Sequence, residues 1–454
     1  MEMGNEQTGE SVKTPLAAVS GATPSQQAGE IRNRWWWIKH MVWTDPMLAR
    51  LEKNEPGTKW FRLWDKVMDV RTLETGFQSV QRNDGAPGVD GQTAEQFKAG
   101  LKENLQKLSQ ELRDGTYLPA PCRREWIPKA GTNEKRPLGI PVVRDRTVQA
   151  AVKAVIEPIW EREFAEHSYG FRPGRGCQQA VGRVEELLKG GHTVVVDADL
   201  KGYFDSIPHK RLMAKLRERI VDGKVLGLIQ QFLEAGVMEE MNGWQPTESG
   251  TPQGGVISPL LANVYLNDLD HDVARRGWEM VRYADDFVIL SRDEAEARKV
   301  MDHLKAWVEA AGLTLHPTKT RVVNYGKGEG FDFLGWHFER GHKWPRAKSV
   351  DKLRTTIREK TPRTSGQSLP VIIASLNRTL RGWYGYFQSS VKNVLARQDQ
   401  FVRRRLRALL RKRAKRPGSG RTWKDHQEWT NEWFTAQGLF SLGTRPLRTS
   451  PVSP

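Results

Sequence analysis

Apolar residues recur every three or four positions across residues 61–80, 94–113, 148–164, 208–220, 226–235, 258–274 and 293–311, which predicts amphipathic helices there. Four stretches follow a different pattern. Residues 193–199 form a short β-branched run between a Gly-Gly and a Lys-Gly, the pattern of a buried strand. Residues 280–290 are apolar on both sides of Asp285-Asp286 and predict two strands meeting at a tight acidic turn. Residues 331–338 predict a strand and turn, and 116–128 a strand pair. Between them, residues 83–91 hold Gly and Pro at a density that marks a compact loop. After residue 345 the strand pattern stops, and 349–360, 369–389 and 396–414 read as basic helices. Leu376, Leu380, Trp383 and Phe387 fall on one helical face, which predicts core packing for Trp383. Residues 1–33 are polar and nearly free of large apolar groups, the composition of a disordered tail. Trp423, Trp429, Trp433, Phe434 and Phe440 recur at helix-like intervals and predict a small packed cap, a candidate DNA contact. No internal repeat appears. The expected fold class is α+β, a mixed body followed by an all-helical segment.

Composition narrows the class. The chain has 454 residues, room for two to four domains, with 38% hydrophobic and 28% charged residues. No apolar run reaches the length of a membrane span. Residues 1–34 contain no apolar core of a secretory signal. The two cysteines, Cys122 and Cys177, exclude a disulfide scaffold and a Cys-rich zinc module, and fit a reduced intracellular setting. The net charge of +17 points to a polyanionic partner. It is unevenly distributed: residues 1–340 carry 46 Lys+Arg against 48 Asp+Glu, whereas residues 341–416 carry 21 against 3. A basic module is attached to a body of balanced charge, and that density points to nucleic-acid phosphate rather than a solvated face.

The chemistry centres on three carboxylates. Asp199 ends the β-branched strand, and Asp285 and Asp286 sit at the acidic turn. Neighbouring strands delivering them to one point would make a hard, oxygen-rich site suited to Mg²⁺. Two such ions about 4 Å apart can activate an attacking hydroxyl and stabilise a leaving oxygen. The bland alternative is a capped strand end beside an ordinary acidic hairpin. Asp197 lies two residues before Asp199 and shares its strand face, as a further ligand or as a hydrogen-bonded surface group.

These motifs carry a resemblance. Tyr283-Ala284-Asp285-Asp286 resembles the Tyr-x-Asp-Asp signature of reverse transcriptases, and the run from Asp199 to Asp205 resembles their other palm motif. Arg136-Pro137-Leu138-Gly139-Ile140-Pro141 and Ser168-Tyr169-Gly170-Phe171-Arg172-Pro173 are similar to blocks of the fingers. Gly250-Thr251-Pro252-Gln253-Gly254-Gly255 resembles the template and nucleotide loop. Gly85-Ala86-Pro87-Gly88-Val89-Asp90-Gly91 and Leu380-Arg381-Gly382-Trp383-Tyr384-Gly385-Tyr386-Phe387 are similar to segments of bacterial group II intron-encoded reverse transcriptase/maturases. The ordered blocks span residues 83–388.

The resemblance implies a right-hand polymerase: fingers and palm with an antiparallel sheet and packed helices over 34–340, a basic helical thumb/maturase domain over 341–416, and a C-terminal helical cap over 417–454. It implies Asp199 and Asp285 as the principal ligands of two Mg²⁺ ions, with Asp286 secondary. It places Lys129 and Arg136 over the triphosphate, where a solvated basic loop is the other reading. Phe204, five residues beyond Asp199, becomes a steric gate against a 2′-hydroxyl, or else a core ring. Gln253 would contact the incoming nucleotide or template, and Lys319 would be the general acid to pyrophosphate or an exposed salt-bridging lysine. Phe333-Leu334-Gly335-Trp336 resembles the primer grip. Arg378, Arg381, Arg403, Arg404, Arg405, Arg407, Arg411, Lys412 and Arg413 are the expected RNA contacts.

The implied activity is RNA-directed DNA polymerisation coupled to assisted intron splicing. The implied partners are group II intron RNA, a DNA target and primer, and deoxynucleoside triphosphates, with no membrane. A homodimer stays open, and the location would be the bacterial cytoplasm, at the nucleoid. No Cys lies beyond residue 177 and only His426 lies beyond His342, so the endonuclease domain of many relatives is expected to be absent. The rival readings are a splicing-only maturase with a silent polymerase and a domesticated reverse transcriptase in defence or DNA repair.

Overall fold

The computed structural model describes residues 24–53, 57–128, 135–239, 243–443. The chain divides into two units, residues 1–56 and 57–454. In the first, α1 (Pro24–Arg34) and α2 (Asp45–Lys53) are joined through Arg32, whose guanidinium donates to both Asp45 oxygens at 3.1 and 2.5 Å. The Trp35 indole donates to Glu52 at 2.7 Å, and Trp43, Leu48 and Leu51 are buried. The helix α1 thus covers residues 24–33 of the stretch 1–33 whose composition reads as a disordered tail. Charged side chains such as Arg32 tie this helix down where the lack of apolar residues suggested nothing would. Residues 1–23 lie outside the described residues.

The second unit opens with α3 (Val70–Asn83), α4 (Leu101–Asp114), β1 (Cys122–Pro128), β2 (Lys135–Ile140) and α5 (Val143–Glu161). The strand pair expected within 116–128 is instead β1 paired antiparallel with β2. Pro137 and Gly139 make the second strand read as a loop. Next come α6 (Cys177–Lys189), β3 (Val194–Asp199), β4 (Val237–Glu239), β5 (Gly243–Gln245), α7 (Ser258–Arg275), β6 (Glu279–Tyr283), β7 (Asp286–Ser291) and α8 (Glu294–Ala310). The palm sheet closes with β8 (Arg321–Asn324) in the order β6-β7-β3-β8, antiparallel throughout. Val194, Val195 and Val196 are buried at its centre, as β-branched residues between covered faces should be. The four-stranded fingers sheet runs β2-β1-β4-β5. α7 buries residues on nearly every side, including the polar Asn263 and Asp270.

A small sheet of β9 (Phe331–Phe333), β10 (Trp336–Glu339) and β11 (His342–Pro345) leads into α9 (Ala347–Lys360), α10 (Leu369–Phe387) and α11 (Lys392–Arg413). Phe387 packs its ring 4.9 Å from Trp336, joining the helices to the palm core. Leu376, Leu380 and Phe387 are buried, and Trp383 lies half-buried against both cores. The last helices, α12 (Trp423–Glu428) and α13 (Asn431–Ala436), bury Trp429 and Phe434 in the same apolar core as Leu376, Leu380, Leu406 and Leu409. The expected C-terminal cap thus shares its core with the thumb. No helix among the described residues is long and apolar enough to cross a membrane.

Candidate active site

The antiparallel register of β3 and β7 sets Asp199 directly opposite Asp286. The β6–β7 register pairs Tyr283 with Asp286, which leaves Ala284 and Asp285 as a two-residue hairpin loop. Such a loop needs a positive φ at its first residue, and Ala284 adopts +59°. Three carboxylates thereby converge where two central strands end. Burial, then the charges of Asp197, Asp285 and Asp199, push the Asp286 carboxyl up to about 7. Burial, and next among the raising influences the charge of Asp199, raises Asp285, opposed by Arg136 and Lys319. Negative charge is crowded here beyond what the protein neutralises.

Asp199 has one close cation. Its backbone carbonyl accepts from the His316 amide at 2.7 Å, and Lys201 donates its amide to Thr314 at 2.8 Å, so the segment after α8 runs alongside. This brings the Lys319 ammonium to 3.0 Å from Asp199 Oδ2, with both groups open to solvent. Asp197 pairs with Arg321 at 3.5 Å, and burial pushes its carboxyl up to about 6. Among the described residues no three His, Cys, Asp or Glu side chains are grouped so as to hold a metal ion by themselves. Mg²⁺ is usually bound by only one or two carboxylates and takes its remaining ligands from water and phosphate. The donor set is all oxygen and carries excess negative charge, so these residues suit the ion.

Around the carboxylates stand the other expected residues. The Gln253 side-chain amide donates to Asp205 Oδ2 at 3.0 Å, and the Gln253 backbone carbonyl accepts from the Gly139 amide at 2.7 Å. The loop carrying Gln253 is thus tied to both palm and fingers. The Thr251 amide donates to the Phe204 carbonyl at 2.6 Å, fixing the loop beside the half-buried Phe204 ring. Arg136 is exposed on β2, with its charge felt at Asp285. Lys129 lies outside the described residues.

Five residues with structural claims on the site, Arg282, Asp270, Asn263, Gly170 and Phe171, were given no role of their own in the sequence. Arg282 is fully buried one residue before Tyr283. Its guanidinium donates to Asp270 at 2.7 and 2.5 Å, to Asn263 Oδ1 at 3.0 Å and to the Ala284 carbonyl at 3.0 Å. The hairpin is therefore tethered to α7. A signal existed: Asn263 and Asp270 are seven residues apart on one helix face, and Arg282 interrupts an apolar strand. Asn263 also donates to the Gly170 carbonyl at 2.8 Å, and a Cβ on Gly170 would lie 2.4 Å from the Ala284 nitrogen. Only glycine fits against the hairpin there. The fifth is Phe171, whose exposed ring stands 6.4 Å from Phe204 and 6.2 Å from Tyr283. It stands in the block 168–173 that resembles the fingers, without a role of its own there.

The basic side chains of the helical region separate into two kinds. Arg378, Arg381, Lys412 and Arg413 are exposed. Arg403 and Arg404 are partly exposed, and the Arg404 guanidinium stacks over Phe401 at 5.1 Å. Arg405 instead donates to the Thr361 carbonyl at 2.6 Å, and Arg411 to Asp425 at 2.6 Å. Arg407 departs furthest from expectation. It is 3% exposed and donates to the Trp429 carbonyl at 2.9 Å, so it serves as an internal tie.

Residues 127–338 match the family described as reverse transcriptase (RNA-dependent DNA polymerase), and residues 350–429 match the group II intron, maturase-specific domain. Protein YkfC of Escherichia coli (strain K12) is 34% identical over 329 residues, covering 63% of this chain and 85% of YkfC. The group II intron-encoded protein LtrA of Lactococcus lactis subsp. cremoris is 39% identical over 234 residues, 50% of this chain and 38% of LtrA. Nuclear intron maturase 2, mitochondrial, of Arabidopsis thaliana is 27% identical over 246 residues, 46% of this chain and 32% of that protein. The chain thus spans most of YkfC and well under half of the other two. With the carboxylate hairpin in its palm and both domain matches in order, the chain belongs to the reverse transcriptases that carry a group II intron maturase domain.

Proposed function

We propose that the protein copies RNA into DNA at the Asp199, Asp285 and Asp286 cluster, and that its basic helical region holds a group II intron RNA to assist splicing. The observation that carries the reading is the strand register that sets Asp199 opposite Asp286 beside the Tyr283–Asp286 hairpin. Asp199 and Asp285 would be the principal ligands of two Mg²⁺ ions, with Asp286 behind them. Bound there, the ions supply activation of the primer 3′-hydroxyl and neutralise charge on the leaving pyrophosphate.

The remaining roles belong to the protein's side chains. Arg136 and Lys129 steady the triphosphate oxygens from the fingers. Gln253, braced by Asp205 and Gly139, meets the nucleotide or template. Phe204 lies under the sugar and excludes a 2′-hydroxyl. Lys319, held near Asp199, delivers a proton to the leaving pyrophosphate. The DNA primer, deoxynucleoside triphosphates and intron RNA are the proposed partners, in the bacterial cytoplasm. Replacing Asp285 and Asp286 together by Ala is expected to abolish Mg²⁺-dependent primer extension on an RNA template while leaving intron RNA affinity near wild type. Extension at wild-type rate by that variant would sink the assignment.

A further inference from the structure

The segment between α11 and α12 doubles back onto α11. Gly420 adopts a φ of +74°, and a Cβ on it would stand 2.6 Å from the Ala408 nitrogen, so the chain passes at backbone contact. The return sets Arg421 near Arg404. The Arg404 guanidinium is held below its ordinary range, first by burial and then by the charges of Arg421, Arg354 and Arg358. A cavity of about 480 Å³ opens at this junction, with Arg403, Arg404, Arg407, Arg421, His426 and Asn431 in its lining. Arg407 is its buried member. Its Nε and Nη2 donate to the Trp429 carbonyl and to Asn431 Oδ1, and its Nη1 has no protein acceptor among the described residues.

No carboxylate lines the cavity. The nearby acids are engaged elsewhere. Asp399 accepts from Ser441 Oγ at 2.6 Å and from the Leu442 and Gly443 amides at 2.8 Å, and reaches only Arg403 of the lining, at 4.0 Å. Asp425 pairs with Arg411 at 2.6 Å, and Glu432 is held low by its own helix-start amide and Thr430 before the charge of Arg403 counts. Four guanidinium groups around one space repel a cation, and among the described residues Arg404, Arg421 and the Arg407 Nη1 have no hydrogen-bond acceptor, an arrangement suited to phosphate oxygens. Outside the cavity, Arg354 and Arg358 lie over the Phe401 ring at 5.4 Å each, the ring that Arg404 also covers.

We propose that this cavity is a phosphate-binding site that receives a backbone phosphate of structured RNA, with Arg354 and Arg358 leading the strand toward it. RNA is favoured over DNA because most of the lining falls within residues 350–429, the maturase-specific match. The proposal rests on the reading of the helical region as RNA-binding.

The test titrates the full-length chain with a group II intron transcript and, separately, with duplex DNA of arbitrary sequence, over a series of KCl concentrations. The double variant Arg404→Gln/Arg421→Gln is expected to bind the transcript more weakly, with a salt slope shallower by about 1 to 2. Thermal melting checks that it stays folded, and Arg421→Lys, which keeps the charge, is expected to hold the wild-type slope. A steep wild-type slope left unchanged in the double variant overturns the cavity. A loss confined to duplex DNA overturns the choice of RNA. A wild-type chain with no salt-dependent affinity for the transcript overturns the RNA-binding reading itself, and the cavity's role with it.

Discussion

At the scale of single residues, the catalytic hairpin depends on a buried ion pair that the acidic motif does not reveal. Arg282 and Asp270 are both fully buried, and the guanidinium also reaches Asn263 and the Ala284 carbonyl. Removing one partner of such a pair leaves an uncompensated charge and costs about 3–5 kcal/mol. Arg282→Met is therefore expected to unfold at markedly lower urea concentration. Adding Asp270→Leu should recover much of the stability, because a buried pair replaced by apolar groups is often neutral. Primer extension should stay low in the double variant, since the tether to Ala284 is still missing. Recovery of activity along with stability would show that the pair matters only for folding. Gly170→Ala separates the two effects from the other side. The added methyl meets the Ala284 amide, so extension on a primed RNA template should fall more steeply than melting temperature. The carboxylates were legible because apolar runs flank them; Arg282 was not, since a lone charged residue in a strand reads as surface.

At the scale of elements, the join between palm and thumb rests on a second strained turn. Phe333 pairs with Trp336, so Leu334 and Gly335 form a two-residue loop, and both adopt positive φ, +47° and +84°. That is the geometry of a type I′ turn, which costs a leucine at its first position. The Tyr386 hydroxyl of α10 donates to the Leu334 carbonyl at 2.7 Å and holds the turn against the thumb. Tyr386→Phe is expected to cost about 1 kcal/mol in a denaturant melt. If the turn grips the primer, the same variant should release shorter products on a long RNA template; full-length products at wild-type yield would separate the turn from primer handling. The helices here were readable from their period, and Leu376, Leu380 and Phe387 turned inward as that period requires. The pairing of β1 with β2 was not readable, because Pro137 and Gly139 argue locally against a strand while the ladder with β1 overrides them.

At the scale of the whole molecule, the excess charge divides into a surface share and an internal share. The sequence locates 21 Lys+Arg against 3 acids within residues 341–416 but does not separate outer from inner ones. Folding does. Arg407 ties α11 to the last helices through the Trp429 carbonyl and lies over Phe434 at 5.4 Å, while Arg378 and Lys412 stay exposed. Charge count has no period that would distinguish the two; only the apolar neighbours Leu406 and Leu409, placed by the helical turn, bring Arg407 inside. The two kinds should respond oppositely. Arg378→Gln/Lys412→Gln is expected to leave the melting temperature near wild type, since exposed substitutions seldom exceed about 0.5 kcal/mol. It should flatten the salt dependence of intron RNA binding by about 1 for each phosphate that is no longer neutralised. Arg407→Gln is expected to cost about 1–3 kcal/mol, because the buried Trp429 carbonyl loses its donor. Thermal melts and salt titrations of the two variants in parallel check this. Equal effects on stability would return Arg407 to the surface set and make the positive charge of the thumb a single undivided face.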